Sequence, residues 1–135
     1  MKFAATFTII LLFISVMFYS GCKDTITGDQ IDNRTIPATN VSYAKDIQPV
    51  LNLKCASSGC HDDITRASGY SLTTWGYTVM PPYVFPNIPG NSLLVQAIDP
   101  QYAVTSPMPP LGYAQLTQGQ ITGIEAWIKE GAKNN

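Results

Sequence analysis

Charge is what this chain has least of. Asp, Glu, Lys and Arg make up 13% of its 135 residues, with 8 basic side chains against 9 acidic ones. So weak and balanced a field argues against electrostatic recognition of nucleic acid or of acidic membrane surfaces. It also leaves Ser, Thr, Asn, Gln and Tyr to supply most of the polar surface, a composition suited to a protein outside the cytoplasm. Histidine occurs once, at position 61, so no site within one chain draws on two imidazoles. Cysteine occurs three times, at Cys22, Cys55 and Cys60. Internal repeats and low-complexity tracts are missing, although the triplet Met-Pro-Pro occurs at Met80 and again at Met108.

What is present begins with an apolar run. Lys2 is followed by Phe3 to Tyr19 and then Ser20-Gly21-Cys22. A positive start, an apolar core and small residues before a cleavage point read as a secretory signal peptide over residues 1–21. A Cys directly after small residues resembles the lipobox of bacterial lipoproteins, although Tyr19 stands where that family usually has an aliphatic residue. The resemblance implies cleavage before Cys22, a diacylglycerol on its thiol, and a protein anchored on the exported side of a bacterial membrane, periplasmic or at the cell surface. The alternatives are simple secretion and an uncleaved anchor, for which the run is at the short end of the ~17–25 residues that span a bilayer. Residues 22–40 then read as the lipidated Cys and a flexible tether. They are polar and aperiodic, and Ile26, Ile31 and Ile36 recur at intervals of five, which fits neither helix nor strand. An ordered arm packed on the domain is the other possibility. With Cys22 consumed, Cys55 and Cys60 remain as a pair, which an oxidising compartment turns into a disulfide or a cofactor attachment.

The domain, residues 41–135, is organised around Cys55-Ala56-Ser57-Ser58-Gly59-Cys60-His61. A Cys pair ending in Cys-His is the attachment signature of c-type haem. Each thiol adds to a haem vinyl group, and the following imidazole supplies an axial nitrogen to the iron. The usual spacing is two residues; here it is four. The small, turn-prone Ser57, Ser58 and Gly59 let the extra length bulge outward. A plain Cys55–Cys60 disulfide and a zinc site completed by Asp62 or Asp63 are the competing readings, the latter short of a clear fourth ligand.

Helices flank this motif. Tyr43, Ile47, Val50 and Leu51 share a helical face running into Cys55, with a kink or restart required at Pro49. A short helical turn is expected near Thr73 to Tyr77. Asn91 or Ser92 caps a short helix from Leu93 to Ile98 that ends before Pro100. Thr117 and Gln120 form a capping box for the last helix, whose apolar face is Ile121, Ile124, Trp127 and Ile128. Trp127 reads as a core residue at the crossing of the first and last helices. Between these segments the chain is rich in proline and extended.

Together the parts resemble small class I cytochromes c. Tyr43-Ala44-Lys45-Asp46-Ile47-Gln48-Pro49-Val50-Leu51 leading into the Cys motif is similar to the cytochrome c-like domains of bacterial exported proteins. So are Met108-Pro109-Pro110, Leu116-Thr117 and Ile124 to Ala132. The resemblance implies a mainly α fold, helices connected by long Pro-rich loops around one covalent haem c. It implies thioethers at Cys55 and Cys60, His61 as proximal ligand and Met108 as distal ligand, with Met80 as the rival methionine. A His/Met pair closes the iron, so the implied function is one-electron transfer to a redox partner protein rather than catalysis. A subunit accepting electrons within a larger oxidoreductase complex, an enzyme with an open sixth position, and a disulfide-stapled exported binding lipoprotein are the alternatives. Trp75 and Tyr77 are expected to line the haem cavity, and Arg66 to be either a propionate partner or a surface group. Tyr70, Tyr83, Tyr102 and Tyr113 have no assigned role.

Overall fold

The described part of the computed structural model, residues 27–102 and 104–135, is built of helical segments joined by long loops, with no strand among the described residues. Residues 1–21, the stretch expected to be a signal peptide, and Cys22 lie outside the described residues. No helix among the described residues is long and apolar enough to cross a membrane.

The stretch expected to be a tether is instead packed from Thr27 onward. Helix α1, Gly28–Asp32, starts where Thr27 N–H donates to Gln30 Oε1 at 3.0 Å. It buries Ile31 to 1% exposure. Ile36, further along the arm, lies so close to the last helix that a Cβ on Gly123 would fall 2.6 Å from its Cγ2. The five-residue spacing of the isoleucines therefore belongs to an irregular arm that follows a groove, not to a free coil. Beyond it, the Glu130 carboxylate accepts from the Asn40 and Val41 amides.

Pro49 explains the next element. Its ring cannot sit in a helix interior, because it lacks an N–H and collides with the carbonyl four residues back. The chain answers with a widened π-helical turn over Tyr43–Ile47, capped by Ser42, and then begins α2, Gln48–Lys54, with Pro49 in the first turn where no donor is needed. Tyr43, Ile47, Val50 and Leu51 are all buried, as the helical face requires.

Helix α3 is a single turn, Trp75–Thr78, with the Thr74 hydroxyl accepting from Tyr77 N–H. Helix α4 is Leu93–Ile98. Ser92 occupies its cap position, but the hydroxyl donates to the Ile88 carbonyl and accepts from Phe85 N–H, so it ties the preceding loop rather than the helix. Helix α5, Gln118–Lys129, has the reciprocal cap: Gln120 N–H donates to Thr117 Oγ1 and Thr117 N–H to Gln120 Oε1. It ends where Gly131 takes φ +99°, a left-handed conformation that glycine adopts without strain.

The core lies between the π turn, α2, α4 and α5. Ile124, Trp127 and Ile128 are completely buried. Trp127 packs against Tyr43 with ring centroids 5.2 Å apart and donates from Nε1 to the Lys133 carbonyl. It is thus the core residue at the helix crossing. The C-terminal Asn135 returns to the start of the domain, accepting from Ala44 N–H, Tyr43 N–H and the Ser42 hydroxyl.

Candidate functional site

Helix α2 delivers Cys55 directly. The amides of Cys55 and Ala56 both donate to the Leu51 carbonyl, so the helix ends in a widened turn. The chain then doubles back. Cys60 N–H donates to Ser57 O, His61 N–H donates to Cys55 O at 3.1 Å, and Gly59 supplies the left-handed turn at φ +85°. The four residues between the thiols therefore form a closed bulge that brings His61 back onto Cys55. Asp62 staples it by accepting from the amides of Thr65, Ile64 and Gly59, and these bonds, that of Thr65 foremost, hold its carboxyl down to about 2. Asp63 accepts from the hydroxyls of Thr73 and Ser71, which lower its pKa. Both carboxylates are engaged in loop structure, and no group of three or more His, Cys, Asp or Glu among the described residues is arranged to hold a metal ion. The zinc alternative lacks its ligand set.

Cys55, Cys60 and His61 open onto one cavity of about 440 Å³, within the ~300–1,000 Å³ of small-molecule and cofactor pockets. Met108, Pro109 and Pro110 line it from the loop ahead of α5, and Leu93, Leu94, Ala97 and Ile98 line it from α4. Met108 is held there by its own amide, which donates to the Ala97 carbonyl at 2.8 Å. Met80, the rival methionine, is 48% exposed and does not line the cavity.

The donor atoms differ in character. Cys55 is 9% exposed, and burial pushes its thiol up to about 12, so it stays protonated at neutral pH. Cys60 is half-buried; both thiols are free. His61 Nδ1 lies 3.0 Å from the Tyr70 carbonyl oxygen. That oxygen can only accept, so Nδ1 carries the proton and the lone pair resides on Nε2. A histidine fixed in this way is the usual arrangement at metal and haem sites, where the second nitrogen orients the first. The protein thus presents two thiols, one oriented imidazole and one thioether around a single apolar space. In their chemistry these residues fit a covalently attached haem: the two thiols would attach it, and Nε2 of His61 and the Met108 sulfur are the donors that would hold its iron.

Three aromatic residues without an assigned role, Tyr70, Tyr83 and Tyr113, turn out to line this space. Tyr70 and Tyr83 stack at 3.7 Å between centroids, and Tyr70 is edge-on to His61 at 5.6 Å. Tyr70 donates its hydroxyl to the Thr78 carbonyl, and burial raises its pKa strongly. Their positions in aperiodic loops gave no signal in advance. Trp75 and Tyr77, expected at the cavity, are elsewhere. Trp75 Nε1 donates to the Ala132 carbonyl, anchoring α3 to the C-terminal segment. Tyr77 is 37% exposed and covered by the Arg66 guanidinium, 4.7 Å from its ring centroid. Arg66 Nε donates to the Asp63 carbonyl, so this residue belongs to the surface of the loop.

Compared with protein-family models, with curated proteins and with solved structures, the chain has no match.

Proposed function

We propose that this chain is a monohaem c-type cytochrome with a class I-like fold, carrying single electrons and anchored through lipid on Cys22 to the exported side of a bacterial membrane. The observation that carries the reading is the convergence of Cys55, Cys60, His61 and Met108 on one apolar cavity. When bound, haem supplies an iron centre that passes between ferrous and ferric states one electron at a time. The chain's own residues do the rest. Cys55 and Cys60 would attach the porphyrin, and the bulge between them keeps His61 beside Cys55, where its imidazole would hold the iron. The Tyr70 carbonyl holds the Nδ1 proton, which keeps the Nε2 lone pair available in a fixed direction. Met108 contributes a weak sulfur donor that favours the reduced state relative to stronger donors. The apolar side chains of α4 and the Tyr70–Tyr83 stack give the cavity an apolar lining, which would lower the reorganisation demanded by each electron. An iron held by both His61 and Met108 would suit a carrier; the partner is another redox protein, on its own or within a larger oxidoreductase.

The test is expression in a host that matures c-type cytochromes. The expected product has a sharp ferrous visible band, an intact mass including one haem, and colour that survives denaturation. The ferric form shows the weak sulfur-to-iron charge-transfer band, which Met108→Ala removes. A colourless product with Cys55 bonded to Cys60 overturns the proposal, and a band that persists in the Met108 variant moves the ligand to Met80.

A further inference from the structure

Lys54 sits immediately before the first thiol, and its side chain is only 2% exposed although it carries a charge. Two contacts offset that burial. Its Nζ lies 2.6 Å from Asp32 Oδ1 in the arm and donates to the Gln115 carbonyl at 2.5 Å. Gln115 in turn gathers the loop that carries Met108: its side-chain amide donates to the carbonyls of Pro109, Pro110 and Tyr113 at 3.2, 3.2 and 3.0 Å. Asp32 is itself steadied by Gln120 Nε2 from α5 at 3.0 Å. A continuous polar chain therefore runs from the arm, through the cavity wall at Lys54, to the loop that lines the cavity with Met108, Pro109 and Pro110.

We infer that Lys54 is a positioning residue which, with Asp32 and Gln115, latches the Met108 loop over the cavity, so that docking of the N-terminal arm governs how firmly the cavity is closed. A compact ammonium with three donors suits this junction, because one group serves a carboxylate and a carbonyl at once. Removal of either partner leaves a buried charge short of its compensation, and the strain falls on the loop, whose other tie is the Met108 amide bonded to Ala97. The latch stands on this geometry alone; its consequence for ligation by Met108 rests on the haem reading.

Hydrogen exchange on the full chain tests it. The variants are Lys54→Met, Gln115→Ala and Asp32→Asn, and the probes are the amides of Met108 and Tyr113, bonded to Ala97 and Pro110. Exchange at these amides should rise about tenfold in the first two variants and about threefold in Asp32→Asn, while those of Ile124, Trp127 and Ile128 in α5 stay within about twofold. Unchanged loop exchange, or a uniform rise through α5, overturns the latch; an unchanged rate in Asp32→Asn alone removes the arm from it. Should Lys54→Met fail to fold, the exposed Gln115 carries the test. In haem-bearing ferric protein, added imidazole should bind about tenfold tighter in Lys54→Met and Gln115→Ala, and unchanged affinity breaks the link to Met108. A colourless protein would defeat the functional reading and leave the exchange comparison fully decisive for the latch.

Discussion

Gly123→Ala is the sharpest probe of the packed arm, because propensity and packing give it opposite signs. In a helix interior the change adds about 1 kcal/mol of stability through reduced backbone entropy. Here the new methyl would lie 2.6, 2.9 and 2.9 Å from Cγ2, Cβ and Cδ1 of Ile36. Contacts below 3 Å force a shift, and the nearest atoms sit on a β-branched side chain with little rotamer freedom. Overpacking of this kind costs about 1–3 kcal/mol, so with a cost of about 2 the net destabilisation is about 1 kcal/mol. Ile36→Ala alone loses part of a half-buried side chain, about 1 kcal/mol. The double variant has no clash and keeps the propensity gain, so its stability should return to within about 0.5 kcal/mol of wild type, a coupling of about −2 kcal/mol. Urea unfolding followed by far-ultraviolet circular dichroism measures all four proteins. A Gly123→Ala variant that is more stable than wild type, with no coupling to Ile36, would refute the packing of the arm on α5.

Two further outcomes follow from the thiol and carboxylate environments. In haem-free, reduced protein at pH 8, iodoacetamide should label Cys60 well before Cys55, as mass spectrometry of partial digests will report, because Cys55 is buried and its thiol is raised to about 12; equal labelling contradicts the described turn. Asp62 has its pKa depressed in the folded state to about 2 by the loop amides, so its contribution is present above the ordinary carboxylate pKa of about 3.9 and is lost as pH falls toward 2. Acid unfolding of Asp62→Asn should therefore be less steep than wild type between about pH 4 and 2, and identical curves would count against the staple.

The elements that were legible in the sequence are those whose signals are local. The cap at Thr117 and Gln120, the apolar stripe from Ile121 to Ile128, and the segment between Ser92 and Pro100 all act within a few residues, and each helix lies where they put it. Pro49 likewise announced a break that the π turn supplies. The arm was illegible because its groove exists only once α5 is formed and Gly123 leaves a notch for Ile36. The aromatic residues failed for a related reason. Tyr70 and Tyr83 lie in loops and Trp75 and Tyr77 in the single turn of α3, none of them with a period, and their directions depend on partners far along the chain, such as the Ala132 carbonyl that captures Trp75. The polar chain through Lys54 joins positions 32, 54 and 115, and no spacing rule connects them.

The docked arm also changes the arithmetic of the leash. With Thr27 already at the edge of the folded body, only residues 22–26 would separate the lipid proposed on Cys22 from that body. Five residues reach at most about 17 Å even when fully drawn out. On the proposed reading, a haem protein held on so short a line would not roam to distant collaborators. It would ride close to the bilayer with restricted orientations, and an electron donor or acceptor would have to come to it along the membrane plane.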